Sequence, residues 1–110
     1  MSFLLLQRLA AVSGAIAVAA GAYGAHGATG EAAEWLKTGS TYEMVHAVAV
    51  LALALAGVAG IGAWLLLGGS AVFAGTLYAI ALGGPPMLGA VTPLGGLAMI
   101  VGWLLVAFRR

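Results

Sequence analysis

Apolar residues form four long runs, separated by short segments rich in glycine or charge. The runs cover residues 3–25, 42–58, 63–82 and 88–108. At 1.5 Å per residue, about 20 helical residues cross a hydrocarbon layer of about 30 Å. The pattern therefore predicts an all-α integral membrane protein: one domain, residues 1–110, built as a bundle of four transmembrane helices.

The segment between the first two runs is the most polar part of the chain. Residues 30–38 contain Glu31, Glu34 and Lys37 beside a tryptophan and a leucine, and we expect Gly39 to end this segment. Glu34 and Lys37 have the i, i+3 spacing of a helical ion pair. This mixture of charged and aromatic residues is typical of a helix lying in the headgroup region. We therefore expect a short interfacial helix over residues 30–38, separate from the second transmembrane helix.

The composition supports a membrane location and excludes several classes of function. Hydrophobic residues make up 64% of the chain and charged residues 6%, against roughly 25% charged in soluble proteins. The bilayer is thus an expected partner. No basic run is present to bind nucleic acid, and no glycine-rich phosphate loop with a lysine is present to bind a nucleotide. The chain has no cysteine, which excludes disulfides and thiolate metal sites.

Small residues recur along one face of the first run. Gly14, Ala17, Gly21 and Gly24 follow a heptad-like spacing. Helices in lipid associate where small side chains let their backbones approach closely. We interpret this face as a helix-packing surface, with a substrate groove as the alternative.

Three ionisable residues are candidates for a polar site. We expect His26, Glu43 and His46 to lie at the ends of the first two helices that face the same side of the membrane. Two imidazoles and a carboxylate could hold zinc, copper or iron with one position open, although the pattern alone predicts no cofactor.

A structural role is the alternative for each of these residues. Glu43 could complete a capping box with Ser40 at the start of the second helix. His26 could close the end of the first helix, where a cation is favoured. His46 could bond a carbonyl group of the first helix.

Two further features concern helix boundaries and topology. Thr92 and Pro93 predict either a helix start or a kink in the last span. Arg8 and the C-terminal arginines flank the termini, whereas the first loop holds only Lys37. By the positive-inside rule, we expect cytoplasmic termini, in the inner membrane if the protein is bacterial. A cleaved signal peptide ending near Ala20-Gly21-Ala22 is the alternative interpretation of the first run.

Several short motifs follow one another along the chain. They are Arg8-Leu9, Ser13-Gly14-Ala15, Tyr23-Gly24-Ala25-His26-Gly27, His46-Ala47, Thr92-Pro93-Leu94-Gly95-Gly96 and Gly102-Trp103-Leu104. Together they resemble the domain of unknown function 423 (DUF423) family, which includes uncharacterised bacterial inner-membrane proteins and the eukaryotic transmembrane protein 256. The resemblance implies four membrane helices and a membrane location, and it implies no established activity. The family has glutamine or histidine where this chain has Glu43.

The sequence contains no recognisable set of catalytic residues. The chain contains no aspartate, so a Ser-His-Asp triad is impossible, and we expect no enzymatic activity. Small residues suited to helix packing far outnumber residues whose side chains could take part in a reaction. The sequence therefore favours a structural or accessory membrane protein that forms a homo-oligomer or joins a larger membrane complex. The alternative is a binder or transporter of a small cation, metal ion or proton that uses the His/Glu cluster near the outer membrane face.

Overall fold

A computed structural model describes residues 3–109 and contains four long helices. They are α1 (Phe3–His26), α2 (Gly30–Leu55), α3 (Ile61–Ala81) and α4 (Thr92–Ala107), with a short 3₁₀ helix, Pro86–Ala90, before α4. The described part contains no strand. It has four segments long and apolar enough to cross a membrane, the last being the 3₁₀ helix together with α4. The prediction of an all-α integral membrane protein with four spanning helices is confirmed.

The second helix differs from its prediction. α2 is continuous from Gly30 to Leu55, so residues 30–38 form its first turns and not a separate interfacial helix. Gly39 lies inside α2, where an added Cβ would be 2.7 Å from the ring of Tyr78 and 3.4 Å from the Cα of Ala74. A glycine inside a helix costs only about 1 kcal/mol. Gly39 therefore permits close packing against α3, and the expectation that it ends a helix is wrong.

Two helices end in the same glycine motif. After α2, Gly57 has φ +82°, and the N–H groups of Gly57 and Val58 donate to the carbonyls of Ala54 and Leu53. After α3, Gly83 has φ +98°, with the equivalent pair of bonds to Ile80 and Ala79. This is the Schellman arrangement, in which a left-handed glycine satisfies the last free carbonyls. The sharp turns make consecutive helices antiparallel.

α2 and α3 form the middle of the molecule. α1 packs along α2, α4 packs along α3, and within the described residues no Cα atom of α4 lies within 8 Å of α1 or α2. The beginning of α1 and the end of α4 are therefore at one end of the bundle, which we call the terminal end. The start of α2 and the 3₁₀ helix lie at the opposite end.

The apolar core occupies the terminal end and joins α1, α2 and α3. α3 and α4 meet through glycines: a Cβ added at Gly69 would be 2.9 Å from the Gly95 carbonyl, and one added at Gly102 would be 3.0 Å from the Gly62 carbonyl. Backbones this close gain dispersion contacts that lipid cannot supply. The buried core side chains are Leu6, Ala10, Val50, Ala54, Ala63, Leu66 and Leu67.

Candidate functional site

A buried carboxylate connects three helices. Glu43 of α2 is 4% exposed, and each of its oxygens accepts a hydrogen bond from a different helix. The Ser13 hydroxyl of α1 donates to Oε2 over 2.8 Å, and the Tyr78 hydroxyl of α3 donates to Oε1 over 2.7 Å. We call these three residues the Glu43 cluster. Its bonds link α1, α2 and α3.

His46, one turn after Glu43, forms a second set of polar contacts. It is 6% exposed. Its Nδ1 lies 2.6 Å from the Tyr42 carbonyl, and its Nε2 accepts a bond of 3.0 Å from the Trp103 indole N–H. A carbonyl can only accept and an indole N–H can only donate. Both bonds therefore require the neutral tautomer with its proton on Nδ1, because a protonated ring would have no acceptor for Trp103.

The Trp103–His46 bond is also a link between helices whose backbones stay apart. The two rings are 5.7 Å apart, at an edge-on angle of 60°. Trp103 thus reaches past α3 to bond α2. Beside it, a groove of about 320 Å³ opens between α2, α3 and α4, and its lining includes His46 together with Tyr42, Phe73 and Trp103.

The predicted position of the polar site was wrong. Since α2 begins at Gly30, Glu43 lies about 20 Å along the helix from that end and about 18 Å from Leu55. Both Glu43 and His46 are therefore in the middle part of α2 and not at its end.

His26 is not part of this site. It is the exposed last residue of α1. Gly24 near it faces Leu36, and His46 lies about 15 Å further along α2 from Leu36. His26 is thus more than about 15 Å from His46, and the three metal candidates do not come together. Among residues 3–109, no group of three or more His, Asp or Glu side chains is placed to hold a metal ion.

The predicted capping box is also absent. Ser40 lies inside α2, and its hydroxyl donates to the Ala17 carbonyl of α1 over 2.8 Å. Glu43 bonds the two neighbouring helices, as described above. His46 bonds a carbonyl of its own helix and not one of α1. The polar residues at this level therefore join helices or satisfy local carbonyls, and none of them caps α2.

The small residues of α1 face α2. A Cβ added at Gly14 would be 4.0 Å from Ala47, one at Gly21 would be 2.6 Å from the Ser40 hydroxyl, and one at Gly24 would be 3.0 Å from Leu36. Ala17, in the same row, is fully buried. The surface predicted from their spacing is thus occupied by α2.

The motif Tyr23-Gly24-Ala25-His26-Gly27 forms the end of α1. The N–H groups of Gly27 and Ala28 both donate to the Tyr23 carbonyl. A side chain at Gly27 would collide with the Tyr23 ring. The motif therefore ends the helix and packs it against α2, while its histidine side chain stays exposed.

Thr92 begins α4, and Pro93 is its second residue. The Thr92 hydroxyl does not cap the helix. It bonds Thr76 of α3 and donates to the Leu88 carbonyl of the 3₁₀ helix. The start predicted at this pair is therefore present, and the residues before it form the 3₁₀ turn.

Three partner residues in the site were not identified from the sequence. Ser13, Tyr78 and Trp103 lie 30, 35 and 57 positions from the side chains that they bond. Each lies in a largely apolar stretch, and Ser13 and Trp103 also belong to the motifs that carry the family resemblance.

Comparison with known proteins identifies the family. A family model described as "Protein of unknown function (DUF423)" matches residues 20–96, more than half of the chain. No curated protein and no solved structure matches the chain. The matched region contains the end of α1, all of α2 and α3, and the start of α4, and so includes Glu43, His46 and Tyr78. The chain belongs to the DUF423 family, whose molecular function is not established.

Proposed function

We propose that this protein is a non-enzymatic structural or accessory component of the membrane, which assembles with a second copy of itself through one face of α3. The observation that carries the proposal is an exposed row of small residues on that helix. Gly68, Ala71 and Gly75 are exposed, and a Cβ added at either glycine would have nothing within 4 Å. Their i, i+3, i+7 spacing puts them on one side.

The shape of this face suits self-association. Ile61 and Leu82, near the two ends of α3, are 74% and 67% exposed, and Val72 beside the row is 40% exposed, so larger side chains surround the row of small residues. Two such faces crossing at their middles are self-complementary, as a two-fold interface requires. Inside the chain, α3 and α4 already use paired glycines for close contact. The outer row offers the same contact to a neighbour.

The polar groups of the interior support a structural role. The side chains of Ser13, Glu43, His46 and Tyr78 are bonded to one another or to groups of the same chain. Every described buried polar side-chain atom has such a partner. These bonds support a role in holding the helices together.

Disulfide crosslinking tests the proposed interface, because the chain has no native cysteine. Ala71→Cys, in the full chain in native membranes, is expected to form a covalent dimer on mild oxidation. Ala15→Cys is the matched control, since it is an exposed alanine of α1, and it should stay monomeric. Adding Gly75→Leu should abolish the Ala71→Cys dimer by filling the row. Equal crosslinking at both positions would contradict the proposed interface.

We also propose that the termini face the cytoplasm, with the chain in the inner membrane if the protein is bacterial. Arg8 and Arg109 lie at the terminal end, and Lys37 lies near the other. This arrangement of charges supports the orientation through the positive-inside rule. A membrane-impermeant thiol reagent should label Thr29→Cys in intact cells and should label Ala59→Cys only after permeabilisation. The reverse pattern would contradict the orientation.

A further inference from the structure

Among residues 3–109, Glu43 is a buried acid without a countercharge. Within residues 3–109, the one described Lys–carboxylate pair is Lys37 with Glu34, at 4.0 Å, and both side chains are exposed. An unpaired carboxylate transferred into an apolar medium loses hydration that hydroxyl partners only partly replace. Ionisable groups at membrane depth are rare for this reason, and they are candidates for functional sites. Neutralising Glu43 therefore requires a ligand that brings one positive charge.

The titratable groups around Glu43 supply no such charge. α1 contributes only the Ser13 hydroxyl and α3 only the Tyr78 phenol. On α2 itself, His46 lies one turn away. Its ring is neutral because the Tyr42 carbonyl and the Trp103 indole fix its tautomer. α4 has no Cα atom within 8 Å of α2 in the part of the chain that the structure describes.

The chemistry of the two partners indicates which ligand fits. A hydroxyl both donates and accepts, whereas an arginine or a backbone N–H only donates. When Glu43 is ionised, Ser13 and Tyr78 both donate to it, as the structure shows. When Glu43 carries a proton, its O–H can donate to the Ser13 oxygen. The Ser13 hydroxyl can then turn to a carbonyl one turn earlier in α1, as helical serines commonly do.

We propose that Glu43 is a proton-binding site inside the bundle, with the Ser13 and Tyr78 hydroxyls serving both its carboxylate and its carboxylic acid. One proton adds to one oxygen of Glu43, the charge of the cluster rises from −1 to 0, and no other covalent bond changes. The site lies within one chain and does not require the proposed α3 interface, although Tyr78 is on the same side of α3 as the exposed row, three residues after Gly75.

Carbodiimide labelling tests the site in the full chain. Dicyclohexylcarbodiimide is apolar enough to enter the bilayer, and it reacts with the acid form of a carboxyl group. In lipid nanodiscs, mass spectrometry of peptides should find the adduct at Glu43 and show it decreasing as the pH rises. The exposed side chains of Glu31 and Glu34 are internal controls and should remain largely unlabelled. Glu43→Gln should lose the adduct completely.

A variant of Tyr78, a hydrogen-bond partner of Glu43, separates proton binding from a merely structural role. Tyr78→Phe removes one of the two hydroxyls that donate to Glu43, so the pH profile of Glu43 labelling should differ from that of the wild type. Tyr23→Phe, which alters an exposed tyrosine of α1, should leave the pH profile unchanged. Identical profiles for Tyr78→Phe and the wild type would overturn the assigned role of the Tyr78 hydroxyl.

Infrared spectroscopy decides the result if the reagent fails to reach the site. Acidification should produce a carboxylic acid C=O band that Glu43→Gln lacks. The absence of such a band at every pH would overturn the proposal. Protection of Glu43 from the reagent by sodium at constant pH would also overturn it, by showing that an alkali cation occupies the site.

Discussion

Gly95 provides the sharpest test of how closely α3 and α4 approach each other. In Gly95→Ala, the new Cβ would lie 2.5 Å from the Phe73 backbone nitrogen and 2.6 Å from the Gly69 carbonyl oxygen. Both atoms belong to the α3 backbone and cannot rotate away. Gly96, the next residue, is the matched control, because a Cβ there would meet only the Phe73 ring, at 3.8 Å.

Comparing Gly95→Ala with Gly96→Ala gives the expected loss of stability. Either change from glycine to alanine favours the helix by up to about 1 kcal/mol, and this gain cancels in the comparison. Gly95→Ala additionally forces α4 to move away by nearly 1 Å, an overpacking that costs about 1–3 kcal/mol. Gly95→Ala should therefore be less stable than Gly96→Ala by about 1–3 kcal/mol.

The free energies of unfolding can be compared by titrating SDS into a mild detergent and following helix content by circular dichroism. The two variants and the wild type are measured at one protein concentration. If Gly95→Ala proved as stable as Gly96→Ala, the close crossing of α3 and α4 would be refuted.

Two other substitutions can be measured by the same titration. Trp103→Phe keeps an aromatic ring but leaves His46 Nε2 without its donor, so the free energy of unfolding should fall by about 1–2 kcal/mol; an unchanged value would contradict the Trp103–His46 bond. Gly57→Ala should cost about 1–2 kcal/mol because φ is +82° at that position. Gly60→Ala, at a φ of −79° with nothing near its Cβ, should cost less than Gly57→Ala, and equal costs would argue against the left-handed turn.

The four helices could be predicted from the sequence because a membrane leaves the backbone few choices. Long apolar runs must satisfy their own N–H and C=O groups, and helices of about 20 residues do so. The row of small residues on α1 was equally visible, since helix periodicity alone puts Gly14, Ala17, Gly21 and Gly24 on one side. These inferences depend only on local spacing.

The errors arose where a residue's role depends on a distant helix. A glycine after a polar segment, such as Gly39, is typical of a helix end. Here the lack of a side chain makes room for the Tyr78 ring. Because a break was expected there, Glu43 and His46 were placed near the helix start and Ser40 was interpreted as a cap. The helix begins at Gly30, which puts them in the middle part of α2. The bonds from Ser13 and Tyr78 depend on helix register, which spacing within one helix does not fix.

The central claim is that Glu43 and Tyr78 bond each other across α2 and α3 inside the bundle. A double-mutant cycle with Glu43→Leu, Tyr78→Phe and the double variant measures this interaction directly by SDS unfolding. Each single variant leaves a buried polar group without its partner, and the double variant removes both. The summed losses of the single variants should therefore exceed the loss of the double variant by about 1–3 kcal/mol. Additivity within about 0.5 kcal/mol would contradict the claim.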